Sequence, residues 1–153
     1  MLKHYNNKII INQPVPLSID LGCGAFKRPD FIGIDWADFG QEIVWDVRNG
    51  LPLLNDWVQH LYTSHFLEHC DATTYHLLIN EFMRVIKHNG ILEIVVPYGD
   101  TWQGHLACHY LKFNENDMTA IHEYYPKPKP TFNMVECYRD GIHLKAKFIV
   151  IKN

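Results

Sequence analysis

The sequence predicts an α/β domain with a mostly parallel β-sheet, and three observations support this prediction. Short apolar runs rich in β-branched residues recur along the chain, and each ends near a polar residue or a proline. An amphipathic helical pattern lies between the last two of these runs. Two further apolar runs flank Asp140-Gly141, a dipeptide typical of a two-residue β-hairpin. We therefore expect parallel strands followed by an antiparallel pair at the edge of the sheet.

Five of the apolar runs have the length of buried strands. In chain order they are residues 17–21, 31–35, 42–47, 58–64 and 91–97. The first contains Leu17, Ile19 and Leu21 and runs directly into a glycine turn, which makes it the anchor of the predicted sheet. A shorter strand-like segment, residues 8–11, precedes it and is separated from it by two prolines.

The clearest helix is predicted to follow Asp71, which can cap its first turn. Leu78, Phe82 and Val85 recur at helical spacing and place an apolar stripe on one face. Asn89-Gly90 can supply the left-handed residue that ends a helix. The sequence therefore predicts a helix that packs on the sheet and ends near residue 88.

The chain is expected to form one domain over residues 1–153. It is 47% hydrophobic and 20% charged, which is ordinary for a globular domain with a single core. Residues 98–113 show no regular pattern, residues 114–124 suggest a second helix, and residues 126–130 form a stiff, extended, proline-containing linker. The linker carries no sign of a separate domain, and the sequence contains no internal repeat.

Charge and cysteine usage narrow the class of partners. The formal net charge is −3, so no overall positive field favours nucleic acid or an anionic membrane. No apolar run approaches the roughly 20 residues that span a bilayer. The four cysteines are scattered without a C-x-x-C, and the N-terminus lacks the apolar core of a signal peptide. We expect a cytoplasmic protein with a small or neutral substrate; its oligomeric state is left open.

The segment DLGCG, residues 20–24, follows the first strand at the edge where ligands of open α/β sheets bind. Glycines there let backbone amides approach a ligand that a Cβ would keep away. A dinucleotide fingerprint would need a third glycine where Lys27 stands, which disfavours NAD. Asp35 ends the second strand, where a carboxylate can accept both ribose hydroxyls of a nucleoside, and Trp36 beside it offers a flat apolar face. Asp46 is predicted to end the third strand in the same way.

In these residues and their order the chain resembles the class I S-adenosylmethionine-dependent methyltransferases. The resemblance is to small methyltransferase-domain proteins with the pattern LGCG … G-x-D … D-x … LP … LEH … E-x-x-R-V-[IL]-K-x-x-G. The matched positions are residues 21–24, 33–35, 46, 51–52, 67–69 and 81–90. The resemblance implies a Rossmann-like sheet in the strand order 3-2-1-4-5-7-6 with strand seven antiparallel. The Asp-Gly hairpin supports that order independently.

The resemblance also implies S-adenosylmethionine as the cofactor and assigns residues to it. The assigned residues are Asp20, Gly22, Cys23 and Gly24 at the methionine end, Asp35 with neighbouring Trp36 at the ribose, Asp46 and Val47 at the adenine, and Ser64 and His65 beneath the sulfonium. Asp20 and Asp46 have an alternative role as turn or helix caps.

The segment between the first two strands departs from the family pattern. The family usually places a full helix there, but only residues 25–30 are available, whereas a parallel crossover ordinarily needs a dozen residues or more. Six extended residues reach about 20 Å, barely enough to return along a short strand. We expect one helical turn or less, with the cofactor's carboxylate end exposed or contacted by Lys27 or Arg28.

The expected activity is methyl transfer from S-adenosylmethionine to a small-molecule or glycan-related acceptor that the sequence does not identify. A sulfonium is already a good leaving group, so positioning of the acceptor can supply most of the acceleration. Five side chains are candidates to orient or deprotonate the acceptor: His65, Tyr98, Asp100, His105 and His109. An alternative is a non-catalytic module that keeps the fold, with or without the cofactor, as a surface for a partner.

A third alternative is a metal-dependent hydrolase, because His65-x-x-Glu68-His69 fits the H-x-x-E-H pattern of helical zinc proteases. That pattern needs one continuous helix, whereas here it begins at a predicted strand end. His105, Cys108 and His109 form a second group with the spacing of one helix face, but no fourth ligand is evident nearby. The sequence-based expectation is therefore that no metal binds.

Overall fold

The computed structural model describes residues 2–5, 8–11, 14–99, 101–102, 104, 106–126, 128 and 130–152, with the backbone alone in the first two ranges. Strands β1 (Leu2–Tyr5) and β2 (Lys8–Ile11) pair antiparallel as a separate two-stranded sheet. The strand predicted at residues 8–11 is thus present, and its partner β1 was not predicted.

The main sheet has seven strands in the order β5-β4-β3-β6-β7-β9-β8. Their ranges are β3 (Leu17–Leu21), β4 (Ile32–Asp35), β5 (Ile43–Val44), β6 (Val58–Ser64), β7 (Ile86–Pro97), β8 (Thr131–Asp140) and β9 (His143–Ile151). Strands β3 to β7 run parallel, and β9 is antiparallel to both β7 and β8. This is the order 3-2-1-4-5-7-6, so the predicted topology and C-terminal hairpin are confirmed.

Two α-helices are present among the described residues, α1 (Ala72–Val85) and α2 (Glu115–His122). Asp71 caps α1 as predicted, accepting a 2.7 Å hydrogen bond from the Thr74 amide. Asn114 begins α2 with a capping box. Neither helix is long and apolar enough to span a membrane.

The predicted end of the first helix is wrong. Helix α1 ends at Val85, and Ile86 already belongs to β7, where it is fully buried and pairs with Val58. Asn89 does adopt the left-handed conformation, with φ of 62°, but it lies with Gly90 inside the strand. Burial of Ile86 against the neighbouring strand therefore outweighs the local helix-ending signal.

The crossover from β3 to β4 contains no helix, as expected from its length. The Arg28 amide donates a 2.7 Å hydrogen bond to the Asp20 carboxylate and holds the segment against the sheet. The Arg28 guanidinium lies 4.9 Å from the Phe31 ring centre and 4.5 Å from that of Tyr62, and it pairs with Glu93 at 3.2 Å. Because this crossover contains no helix to pack on the sheet, the Arg28 side chain covers part of that face instead.

The apolar core lies between the sheet and the two helices. Leu61, Ile94 and Phe148 from the sheet and Phe82 from α1 are fully buried there. Burial alternates along β9, as expected for a sheet with one packed face and one partly solvated face.

Candidate functional site

A cavity of about 670 Å³ opens at the carboxyl ends of the parallel strands. It lies where the chain order reverses between β3 and β6, the usual ligand position in open α/β sheets. Its lining consists of Gly22, Gly24, Ile34, Asp35, Trp36, Phe39, Asp46, Val47, Arg48, His65, Phe66, His69, Cys70, Asp71, Thr74 and Tyr110. We call Gly22, Gly24 and Asp35 the glycine wall, and His65, Glu68 and His69 with residues 106–111 the histidine wall.

The glycine wall depends on two left-handed residues. Gly22 has φ of 70°, and a Cβ added to it would overlap the Phe66 ring. Gly24 has φ of 52°, but a Cβ there would meet open space. Gly22 is therefore required by both conformation and packing, and Gly24 by conformation.

Asp35 closes the glycine wall with a carboxylate that is only 7% exposed. One of its oxygens accepts a 2.9 Å hydrogen bond from the Gly24 amide, and the other accepts a 3.2 Å bond from the Ala37 amide. A carboxylate has about four acceptor positions, so about two remain for a ligand. Trp36 and Phe39 stand exposed beside it and supply aromatic surface at the mouth.

Asp46 reaches the cavity differently from the prediction. Strand β5 comprises only two residues and ends at Val44, so Asp46 does not end it but caps the short 3-10 turn Val47–Asn49. The Arg48 side chain donates to both Asp46 oxygens, at 3.0 and 2.6 Å. This pairing holds the pKa of the Asp46 carboxyl below its usual value.

On the histidine wall, His65 follows β6 directly and has φ of 52°. A non-glycine residue in this conformation carries strain of about 1–3 kcal/mol, which is common at functional positions. Its Nε2 lies 3.0 Å from Nδ1 of His143, the first residue of β9. Burial, and then the nearby charges of His65 and Lys145, lower the pKa of His143.

Glu68 is the unusual group of this wall. Its side chain is 1% exposed, and neither carboxylate oxygen has a hydrogen-bond partner among the described residues. The nearest imidazole nitrogens are His65 Nδ1 at 3.6 Å and His69 Nε2 at 3.8 Å from its Oε1. Both distances exceed hydrogen-bond length, so the carboxylate is surrounded by imidazoles without being bonded to them.

Residues 106–111 are held by hydrogen bonds to the backbone carbonyl of Glu68 and to the side chain of His69, not to the Glu68 carboxylate. The amides of Tyr110 and Leu111 donate to the Glu68 carbonyl at 2.8 and 3.1 Å. His69 Nδ1 lies 3.1 Å from the Cys108 carbonyl, and the rings of His69 and His109 are 4.6 Å apart. The segment thus forms the outer part of the histidine wall.

Solved structures with similar folds support this architecture. A SAM-dependent methyltransferase of Thermotoga maritima superimposes with a TM-score of 0.68 at 12% identity, over 90% of this chain and 84% of that chain. A SAM-dependent methyltransferase of Methanosarcina mazei superimposes with a TM-score of 0.67 at 14% identity, over 88% of this chain and 92% of that chain. Phosphoethanolamine N-methyltransferase 1 of Haemonchus contortus superimposes with a TM-score of 0.68 at 11% identity, over 92% of this chain and 41% of that chain. That structure was solved with phosphoethanolamine and S-adenosylhomocysteine. The chain has the class I methyltransferase fold.

This likeness is one of structure. No protein-family model matches the sequence, and no curated protein matches it either. The methyltransferase fold was nevertheless predicted from short local motifs.

Seven residues that the methyltransferase resemblance assigned to the cofactor line the cavity: Gly22, Gly24, Asp35, Trp36, Asp46, Val47 and His65. Three do not. Asp20 is buried and bonded to the crossover, and burial raises its pKa. Cys23 is also buried, which raises the pKa of its thiol to about 11. Ser64 ends β6 without reaching the lining. Lys27 and Arg28, the expected contacts of the carboxylate end, also lie outside the lining and pair with Glu42 and Glu93.

The other acceptor-side candidates are dispersed. Tyr98 lines a second cavity of about 460 Å³, where its hydroxyl donates to Glu115 at 2.9 Å. His109 is half-buried behind His69, and its Nδ1 has no hydrogen-bond partner among the described residues. Asp100 and His105 lie outside the described residues.

His143 was not among the residues predicted for the site, and Tyr110 was predicted only as the end of residues 98–110, which the sequence suggested for the acceptor side. The hairpin places His143 opposite Pro97 at the end of β7. The pairing register of the predicted strands could therefore have placed His143 near the site. Tyr110 reaches the cavity through the irregular segment, for which the sequence gives no register.

Proposed function

We propose that this chain binds S-adenosylmethionine in the 670 Å³ cavity and transfers its methyl group to a small-molecule acceptor. The observation that carries the proposal is the Asp35 carboxylate, which is buried at the end of β4. It lines the cavity beside Gly24 and keeps about two hydrogen-bond acceptor positions unused. A nucleoside ribose offers two adjacent hydroxyls, which suit such a carboxylate. The methyltransferases of like fold support the choice of cofactor.

Gly24 and the cavity lining near the glycine wall fit the remaining parts of that cofactor. Trp36, Phe39 and Val47 provide aromatic and apolar surface for an adenine ring. The open space at Gly24 leaves room for the methionine moiety close to the backbone. When bound, the cofactor supplies a methyl group on a sulfonium, which is a good leaving group.

The histidine wall would face the acceptor. His65 lines the cavity, and its hydrogen bond with His143 fixes the orientation of the imidazole. A neutral His65 can accept a proton from an acceptor hydroxyl or amine, or orient it by a hydrogen bond. Tyr110, 72% exposed, stands at the opening and would contact the acceptor.

Calorimetry with S-adenosylhomocysteine on wild type and Asp35→Ala tests the cofactor site. Loss of hydrogen bonds to a charged group should weaken binding by about 1.5–3 kcal/mol, or roughly ten- to a hundredfold. Asp38→Ala is the matched control, because Asp38 is an exposed neighbour outside the cavity lining. Equal affinity of Asp35→Ala and wild type would place the ribose elsewhere.

A non-catalytic binding module is the second candidate, and the helix-free crossover favours it because less structure covers the cofactor's methionine end. A screen of acceptors that measures S-adenosylhomocysteine release separates the two functions. Cofactor binding without release across hydroxyl, amine and carbon acceptors would favour the module.

A further inference from the structure

We propose that His69, Cys108 and His109, with Glu68, form a binding site for a divalent transition-metal ion of the zinc class on the histidine wall. The proposal does not depend on the cofactor, and it departs from the sequence-based expectation that no metal binds.

The geometry brings three ligand atoms together from two segments. One ligand atom each from His69, Cys108 and His109 lies within 4.8 Å of the others. In a tetrahedral zinc site, neighbouring nitrogen and sulfur ligands are about 3.3–3.8 Å apart. The side chains therefore need to move by about 1 Å to close on an ion. His69 and Cys108 are both exposed, which leaves them free to make that adjustment.

The hydrogen bond of His69 fixes the nitrogen that would bind the ion. Its Nδ1 lies 3.1 Å from the Cys108 carbonyl, which can only accept, so Nδ1 carries the proton. In neutral His69 the lone pair is then on Nε2, which lies 3.8 Å from Glu68 Oε1. Two electron-rich atoms this close repel each other unless the imidazole is protonated, and a cation between them removes the repulsion as a proton would. Donation of the second ring N–H to a carbonyl is also the usual pattern of metal-ligating histidines.

Two buried groups lack hydrogen-bond partners among the described residues. Glu68 is 1% exposed, with no hydrogen-bond partner for either oxygen among the described residues. His109 Nδ1 is likewise buried without a described partner. Burying an unpaired carboxylate costs several kcal/mol in general, and coordination of a cation is a standard way to offset this cost. Glu68 lies outside the group of three ligand atoms that meet within 4.8 Å, and it would supply the fourth ligand through Oε1, which is 3.8 Å from His69 Nε2.

The ligand set selects the kind of ion. Two imidazoles, one thiolate and one carboxylate suit zinc, whereas magnesium and calcium prefer oxygen ligands alone. Binding requires the Cys108 thiol to lose its proton to solvent as the sulfur–metal bond forms. Four protein ligands make a closed site, so its role is to fix residues 106–111 on the end of β6 and complete the wall beside the cavity.

This set differs from His65-x-x-Glu68-His69. Strand β6 ends at Ser64 and only a 3-10 turn, Leu67–His69, follows, so the motif is not on one helix. His65 turns its Nε2 to His143 instead. The helical zinc-protease arrangement is therefore not formed.

Cobalt(II) titration of the tag-free full chain, first stripped with chelator, tests the site by absorption spectroscopy. One cobalt per chain should bind and give visible d–d bands of a tetrahedral site together with a thiolate charge-transfer band. Zinc should displace it with an affinity tighter than about 1 µM. Cys108→Ser should abolish the charge-transfer band, and His109→Ala and Glu68→Gln should weaken binding by about 100-fold or more.

Two matched controls identify the ligands. Cys137→Ser removes a half-buried thiol on β8, and His76→Ala removes an exposed imidazole on α1; both should bind as wild type. The proposal is overturned if no charge-transfer band appears, if Cys108→Ser retains it, or if the controls lose binding as strongly as the site variants. The measurement needs no S-adenosylmethionine, so its failure is distinct from failure of the proposed function.

Discussion

Asp35 and Glu68 are both buried carboxylates near the carboxyl ends of strands in the same sheet, yet their surroundings differ. Asp35 accepts hydrogen bonds from the backbone amides of Gly24 and Ala37. Glu68 has no hydrogen-bond partner among the described residues and lies between two imidazoles. Backbone amides supply the hydrogen bonds of Asp35. Glu68 has no such donors in the part of the chain that the structure describes, so a side chain or a ligand must supply a proton or a positive charge to stabilise it.

This difference indicates how each wall works. The glycine wall is set by backbone conformation, and groups held by the backbone lose less entropy on binding than mobile side chains do. The histidine wall concentrates ionisable side chains whose pairing is incomplete, as is common where proteins do chemistry or bind ions. Changes to the glycine wall should therefore affect binding and stability, and changes to the histidine wall should affect reactivity.

The largest effect is expected from His65→Asn on methyl transfer. Asparagine tolerates the left-handed conformation that His65 adopts, so the backbone is preserved while the imidazole is lost. We expect methyl transfer to fall by about 10²- to 10⁴-fold, with S-adenosylmethionine affinity within a few-fold of wild type. Steady-state kinetics with an acceptor from the screen, together with calorimetry, measure both quantities.

His76→Asn, an exposed change on α1, is the control for that comparison. If His65→Asn lost cofactor affinity as strongly as activity, His65 would belong to the binding wall and the division between the walls would fail.

The next effect is expected from Gly22→Ala, with Gly24→Ala as its matched partner. Both positions have positive φ, so alanine carries a conformational cost of about 1–2 kcal/mol at each. Only at Gly22 would the added Cβ also overlap Phe66, which should raise the total loss of unfolding free energy to about 3 kcal/mol or more. Urea unfolding measures the difference, and equal losses in the two variants would show that Phe66 moves aside without cost.

Much of the fold and the glycine wall was predictable because their signals are local. The apolar runs, the Asp-Gly hairpin and the DLGCG turn each specify structure within a few residues. The end of α1 was mispredicted because the burial of Ile86 is a tertiary effect that the local Asn89-Gly90 signal does not contain.

The histidine wall could not be predicted from local sequence signals in the same way. His69 and Cys108 are 39 residues apart in the chain, and irregular backbone precedes Cys108, so no periodicity relates their side chains. The sequence instead suggested His105 with Cys108 and His109, because a helix was the only local arrangement that would align them. His143 lay within reach of prediction, since the hairpin register puts it at the end of β7.

The smallest effect is a pH dependence of stability that separates His143, the hydrogen-bond partner of His65, from Asp46 in the cavity lining. Burial and the charge of His65 lower the pKa of His143 below 6.5, so the unfolded chain binds this proton more tightly than the folded protein does. The contribution of His143 to the unfolding free energy must therefore decline as the pH falls through 6.5 and be constant well above it. Asp46, whose pKa is lowered by Arg48, contributes stability that is present above pH 3.8 and lost only below it. Urea unfolding between pH 8 and 5 should thus show that the unfolding free energy depends less steeply on pH in His143→Gln than in wild type. His76→Gln is the control, and Asp46→Asn should leave the pH dependence unchanged. An identical slope in His143→Gln and wild type would mean that protonation of the His65–His143 pair does not oppose folding, and that the two imidazoles share a proton at no cost.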